Sequence, residues 1–278
     1  MGGSGTGIMS HFGIGQCEAK WFARTRPRVR QAFADLWRRM AHPRVPASEL
    51  DRPDGLCVSL DGGCAMRPGA GGTKGWQHVD QNPLLKPGFE CIQGLVALTP
   101  TTKRTGGNLL VERSHVNVFP KLNDLYPKMV LDRDGDDFFS LPQRAAAPGG
   151  VLEGGKHVVV RLEAGDLLCW DSRTVHCSWP GGGLQDEAGA KPRRGDGDLP
   201  TDRLARAALY VSFQPRCLVA PAVALERARA VEDGATTTHW ASVCRRRDVV
   251  PKDLSDQDRS QYCPVPTPPL DEAARRLI

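Results

Sequence analysis

Trp76-Gln77-His78-Val79-Asp80-Gln81-Asn82-Pro83 and, 98 positions after its histidine, Asp171-Ser172-Arg173-Thr174-Val175-His176-Cys177-Ser178 decide how this chain is read. Residues i and i+2 of a strand share a face, so His78 and Asp80 both point inward from one strand end. Leu167 to Trp170 and Thr174 to Ser178 are apolar, β-branched stretches on either side of Asp171-Ser172-Arg173, a turn-like break. His176 falls on the second stretch, inside a β-rich core.

Two imidazoles and one carboxylate on one face of a metal leave three adjacent coordination positions open. That is the donor set of non-haem Fe(II) oxygenases, which need those positions for a cosubstrate and O2. His78, Asp80 and His176 are the candidate metal-ligating and catalytic residues. A bare His-x-Asp is common by chance, and an isolated histidine such as His176 reads first as a core residue. The flanking motifs change that balance.

Outward from these stretches, Leu56 to Leu60, Cys91 to Leu98, Leu109 to Glu112, His157 to Leu162 and Ala207 to Phe213 read as further strands. Arg28 to Met40 carries Val29, Ala32, Phe33, Leu36, Trp37 and Met40 at helical spacing, which predicts an amphipathic helix packed on the strands. Asn117 to Gly155 reads as a long, mostly polar connection. Pro221 to Val231 and Ala235 to Arg247 read as helical, and the Pro-rich Cys263 to Pro269 leads into a short terminal helix. These features predict a flexible lead-in over 1–20 and a single domain over 21–278, its core at about 56–216 and a helical extension over 217–278.

At 278 residues the chain can bury the core of one domain. A hydrophobic fraction of 40% and a charged fraction of 25% are ordinary for a globular protein. The net charge of +5 lies largely in Arg24 to Arg44 and Arg245-Arg246-Arg247. A basic surface attracts nucleic acid or the phosphates of an acyl-CoA, but such a surface is more often a solvated face. No apolar run is long enough to cross a bilayer. The nine cysteines are odd in number and scattered, without a Cys-x-x-Cys pair, which predicts reduced thiols and an intracellular setting. Met1 to Gly7 lacks the regions of a signal peptide.

The motifs in order resemble the phytanoyl-CoA dioxygenase-like family of Fe(II)/2-oxoglutarate-dependent oxygenases. They are Trp76 to Gln81, Gly106-Gly107-Asn108-Leu109-Leu110-Val111-Glu112-Arg113-Ser114-His115, Gly165 to Trp170, Thr174 to Ser178 and Arg206-Ala207-Ala208-Leu209-Tyr210-Val211-Ser212-Phe213. The resemblance runs from about Leu56 to Arg216. It implies a mainly β fold, a double-stranded β-helix (jelly-roll, cupin-like) core with flanking helices, and iron at one open end. It also implies Fe(II) on His78, Asp80 and His176, with 2-oxoglutarate and O2 as cosubstrates. Arg206 falls on the arginine that pairs with the distal carboxylate of 2-oxoglutarate, and Ser178 on a hydroxyl that helps hold it. A guanidinium suits this role because its fork meets a carboxylate bidentately and stays charged when buried.

In the family this arginine follows the distal histidine by about ten residues, whereas Arg206 follows His176 by 30. The Gly-, Asp- and Arg-rich stretch from Gly181 to Asp202 reads as a surface insertion, and Arg203, Arg193 and Arg194 stay as alternatives to Arg206. The implied activity is hydroxylation of a small-molecule or acyl substrate with release of succinate and CO2. Two other classes fit the same residues: a nucleic-acid-modifying oxygenase, and a catalytically silent jelly-roll that only binds. Asp132-Arg133-Asp134-Gly135-Asp136-Asp137 resembles a calcium loop, but its glycine stands at the fourth position rather than the sixth. His115 reads as structural or pocket-lining, and His11, His42, His157 and His239 as ordinary histidines. Gln93 reads equally as a cosubstrate-facing or a core amide.

Overall fold

The computed structural model describes residues 7–67, 76–102, 105–128, 137–180, 204–247, 250, 255, 257 and 265–278. The strands are β1 (Ile8–Met9), β2 (Leu56–Val58), β3 (Gly63–Met66), β4 (His78–Val79), β5 (Ile92–Ala97), β6 (Gly106–Val111), β7 (Phe139–Ser140), β8 (His157–Val159), β9 (Leu167–Asp171), β10 (His176–Pro180), β11 (Arg206–Tyr210) and β12 (Phe213–Pro215). They form one sheet in the order β1-β3-β11-β5-β9 and a second in the order β7-β4-β10-β6-β8, with a two-stranded β12-β2 ribbon. Every pairing among them is antiparallel. The protein is thus mainly β, with short helices around two sheets. The sheets meet face to face: Arg206 of β11 bonds Ser178 of β10, and the rings of Trp170 on β9 and His176 on β10 lie 5.3 Å apart.

The helix Pro27–Met40 covers the outer side of the first sheet. Proline at its first turn costs no hydrogen bond, and Ala41 ends it in the left-handed region at φ 45°. Its apolar stripe buries Phe33, Ala34 and Trp37 against Leu56, Val58 and Phe213. The Trp37 indole N–H donates to the Phe213 carbonyl at 2.8 Å. Burying Phe33 and Trp37 contributes about 1.5–3 kcal/mol each. Gly94, in the middle of β5, is required by this packing: a Cβ there would lie 2.9 Å from Phe33 Cζ and 2.9 Å from the Val211 carbonyl oxygen. A second helix, Pro221–Glu232, buries Arg227, whose Nη2 donates to the Val58 carbonyl at 2.6 Å.

Three expectations are corrected. The first concerns the lead-in: residues 1–6 lie outside the described set, but β1 pairs with β3. The helix Glu18–Arg24 carries buried Lys20, Trp21, Ala23 and Arg24. The glycine-rich stretch ends at Gly7, and apolar Ile8 and Met9 join the sheet. The second is Ala235 to Arg247, which is not helical. Thr236 and Thr237 are β-branched and buried: Thr236 Oγ1 accepts from the Gly15 N–H at 3.0 Å, and the Thr237 N–H donates to the Leu60 carbonyl at 2.9 Å. Thr237 also bridges to Arg246. The third is the connection after Asn117, which is less open than a polar loop. Phe119, Leu122 and Tyr126 are buried in a cluster with Val79, Leu109, Val111 and Phe139 beneath the second sheet.

The eight described cysteines are all free thiols, and Cys263 lies outside the described residues. Among the described residues no helix is long and apolar enough to cross a membrane.

Candidate metal centre

His78 and His176 are cross-strand partners in the β4–β10 pair. Directly opposed residues of an antiparallel pair project from the same face, so sheet register alone brings the two rings together, with centroids 4.3 Å apart. Asp80 follows the end of β4 and places Oδ2 3.2 Å from His176 Nε2 and 3.8 Å from His78 Nε2. One donor atom from each of the three residues lies within 4.8 Å of the others.

Both rings are held by the same local device. His78 Nδ1 lies 3.0 Å from the Trp76 carbonyl, and His176 Nδ1 lies 2.8 Å from the Thr174 carbonyl. A carbonyl can only accept, so each Nδ1 carries the proton and each Nε2 turns its lone pair toward the carboxylate. This outer hydrogen bond orients metal-ligating imidazoles generally. Gln93 on β5 donates from Nε2 to Asp80 Oδ2 at 2.8 Å, and His239 donates from Nε2 to the Asp80 main-chain carbonyl at 3.2 Å. Gln93 therefore supports the carboxylate, and His239, expected to be ordinary, belongs to the site.

Burial pushes the His78 imidazole down to about 4; His176 adds to the fall and Asp80 opposes it. Burial alone would raise the Asp80 carboxyl, but the neighbouring His78 and His176 overcome it and hold Asp80 well below the usual carboxylate range. At neutral pH the site therefore presents a neutral His78 and an ionised Asp80. These are the protonation states that a divalent cation requires of its ligands. Two imidazole nitrogens and one carboxylate suit Fe(II) by donor type, so the residues present fit such an ion.

Ser178, two residues beyond His176, shares its face and stands opposite Asn108 in the β10–β6 pair. Arg206 enters from the other sheet, fully buried, and donates from Nη1 to Ser178 Oγ at 2.5 Å. Its Nε has no partner among the described residues, nor has the equally buried Asn108 Nδ2. The described residues show no carboxylate paired with Arg206. A buried guanidinium without an acid is costly and is suited to an anion that the described residues do not supply. Arg203, Arg193, Arg194 and the 181–202 stretch lie outside the described residues.

Trp76, Phe138 and Trp170 wall a cavity of about 340 Å³, with His78, Asp80 and His176 at its base and Ser178 on its side. Phe138 lies 4.9 Å from the His78 ring. The 237–247 segment closes one side with Thr237, His239 and Trp240. His115 does not line this cavity. Its neighbour Ser114 is the buried residue of that motif, accepting from the Val175 N–H at 2.8 Å and donating to the Val111 carbonyl at 2.7 Å. Of the acidic Asp132–Asp137 run, 132–136 lie outside the described residues. Asp137 pairs with Lys86 at 2.6 Å.

No family model matches the chain, and the phytanoyl-CoA dioxygenase-like likeness stays a resemblance of motifs. The Ava biosynthesis cluster protein O of Aspergillus versicolor is 30% identical over 176 residues, which are 60% of this chain and 51% of that protein. The chain thus spans about half the length of that curated relative. Among solved structures, the epimerase SnoN in complex with Fe3+, alpha ketoglutarate (2-oxoglutarate) and nogalamycin RO matches 66% of this chain and 60% of its own, at 19% identity and a TM-score of 0.30. The non-heme alpha ketoglutarate dependent epimerase SnoN from nogalamycin biosynthesis matches 77% and 64%, at 14% identity and a TM-score of 0.33. Likenesses this weak carry no argument about fold or activity.

Proposed function

We propose that this chain is an Fe(II)/2-oxoglutarate-dependent dioxygenase, built on a double-stranded β-helix core, that hydroxylates a small-molecule or acyl substrate and releases succinate and CO2. The supporting observation is a conjunction. A His-Asp-His donor set with preset tautomers lies in the same cavity as a hydroxyl bonded to a buried arginine that has no acid partner among the described residues. The two antiparallel sheets that face each other across the cavity support the β-helix reading.

When bound, Fe(II) with 2-oxoglutarate and O2 supplies the oxidising power for attack on a substrate C–H bond. His78, Asp80 and His176 would hold the ion through two Nε2 atoms and the carboxylate. Gln93 fixes the rotation of that carboxylate through its 2.8 Å bond. His239 ties down the main chain beneath it. Arg206 and Ser178 would take the distal carboxylate of 2-oxoglutarate, where a guanidinium fork fits both oxygens. Trp76 and Phe138 cover the His78 ring and keep bulk water from the base of the cavity. A cavity of about 340 Å³ is at the small end for ligand sites and favours a small substrate.

The basic segments do not support the nucleic-acid reading. Arg24 is buried beside Asp61, and Arg38, Arg44 and Arg246 pair with Asp51, Glu90 and Asp233. Protein purified without oxygen should bind about one Fe(II), and 2-oxoglutarate should then give the visible charge-transfer band of an Fe(II) chelate. His78→Ala and His176→Ala should each remove both signals. Iron affinity unchanged in both variants would overturn the reading. Bound zinc would not, because divalent affinity alone does not select iron.

A further inference from the structure

Where the N-terminal strand meets the cavity, a second polar cluster stands apart from the proposed iron chemistry. Asp61 Oδ1 accepts from Ser59 Oγ at 2.9 Å and from Lys20 Nζ at 3.4 Å. Arg24 Nη2 lies 4.0 Å from the same oxygen. Ser59 Oγ in turn accepts from the Ser212 main-chain N–H at 3.0 Å. One oxygen of Asp61 is therefore locked into the protein. The other, Oδ2, is buried and has no hydrogen-bond partner among the described residues, and the same holds for Ser212 Oγ. Asp61 is 5% exposed and Ser212 1%, and both belong to the wall of the cavity. Buried polar atoms are nearly always paired. Two unpaired ones, on residues of one bonded cluster that lines a ligand-sized space, mark a place where a ligand group completes the pairing.

The charge around Asp61 narrows the kind of group. Lys20 and Arg24 already stand beside this one carboxylate, and Lys20 Nζ also donates to the carbonyls of Gly62 and Tyr210. Burial pushes the Lys20 ammonium down to about 7, while Arg24 stays charged beside the one carboxylate. A substrate ammonium would add a further cation to a buried site whose anion is already offset, at a large desolvation cost. A neutral O–H or N–H donor meets no such penalty, because Oδ2 can accept it and the Ser212 hydroxyl, on the same cavity wall, can accept or donate. The remaining walls are aromatic: Trp76, Phe138, Trp170 and Trp240 all face the same space. Flat apolar rings bury well against such surfaces.

We propose that Asp61 and Ser212 form a substrate subsite that takes a neutral hydrogen-bond donor, an O–H or ring N–H, carried on a flat apolar ring. The role of this ligand as substrate rests on the dioxygenase reading, whereas its binding does not. The test therefore uses the full-length protein in EDTA, without iron or 2-oxoglutarate. The probes are two matched pairs, phenol against anisole and indole against 1-methylindole, in which methylation removes the donor and keeps the ring. Binding is followed by ligand-observed NMR titration. Wild-type protein should prefer phenol and indole by about tenfold, as expected for a hydrogen bond to a charged acceptor. Asp61→Asn should abolish that preference, because the amide keeps an acceptor for Ser59 and presents N–H to the ligand. Ser212→Ala should reduce it several-fold. Equal binding within each pair by wild type, no binding of any probe, or a preference unchanged in Asp61→Asn would each overturn the proposal. Should Asp61→Asn fail to give the wild-type melting transition, Ser212→Ala decides alone, and an unchanged preference there overturns it. Failure of the dioxygenase reading would show separately, in the iron titration.

Discussion

Replacing Arg206 by methionine should make the ligand-free protein no less stable and should leave it nearly blind to 2-oxoglutarate. The guanidinium is 1% exposed on β11, bonded to the Ser178 hydroxyl at 2.5 Å, and faces no carboxylate among the described residues. Exchanging buried charged groups for apolar ones of similar volume is often neutral or stabilising by about 1–4 kcal/mol. For a chain of this size each kcal/mol raises the melting temperature by roughly 2–4 °C. The ligand response runs the other way. At a 2-oxoglutarate concentration of about 100 times Kd, binding to wild type adds about 2.7 kcal/mol. Losing a charge-assisted bond costs roughly 1.5–3 kcal/mol, or about ten- to a hundredfold in affinity. At the same concentration the variant would then gain only about 0.4–1.4 kcal/mol from ligand. The assay is an anaerobic melting curve with Fe(II), with and without 2-oxoglutarate. Iron binding should persist in Arg206→Met, and Arg206→Lys should restore only part of the ligand response, because an ammonium lacks the fork. An undiminished 2-oxoglutarate shift in Arg206→Met would refute the assignment. It would point to Arg203 or another arginine of the insertion.

Two shorter predictions concern the metal centre. Gln93→Leu removes the amide that orients Asp80, and Fe(II) affinity should fall by about 10–100-fold, read by anaerobic titration, with the fold intact by circular dichroism. The second is a pH dependence. His78 is lowered from 6.5 to about 4 by burial, so the unfolded chain binds its proton first. That contribution to stability is complete above pH 6.5 and is lost as pH falls toward 4. The difference is on the order of 3 kcal/mol, measured by urea unfolding of metal-free protein across this window. His78→Gln should flatten the dependence, and an equally steep loss in that variant would show that other groups produce it.

The residues at the base of the cavity were legible because each depends on a local pattern. His-x-Asp places two ligands within three residues, and the apolar stretches around Asp171-Ser172-Arg173 gave β9 and β10 within a residue or two of their observed limits. The amphipathic helix was legible for the same reason: Phe33 and Trp37 repeat at its spacing. What was missed depends on pairing across long stretches of chain. His239 reaches the Asp80 carbonyl from 159 positions away, and no motif surrounds it. Gly63–Met66 is a full strand of the first sheet, yet Gly-Cys-Ala-Met carries little β-propensity and owes its conformation to β1 and β11 on either side. Ala235 to Arg247 was misread because alanines and arginines favour a helix, whereas the threonine run bonds to Gly15 and Leu60 instead.

This division bears on how the metal centre forms. Each imidazole is set by the carbonyl two residues before it, Trp76 for His78 and Thr174 for His176. The orienting bonds are thus contained in three-residue segments and need no distant partner. The approach of the two segments follows from the His176–His78 register, and β10 is held in turn along its length by β6. Neither step calls for an ion. The carboxylate differs, since it depends on Gln93 from β5 of the opposite sheet and on His239 from the C-terminal segment. The histidines are therefore preorganised by the second sheet alone, while Asp80 is positioned only when both sheets and the C-terminal segment have docked. Metal affinity should then report complete assembly of the domain, because the charged ligand depends on contacts from the first sheet and the C-terminal segment.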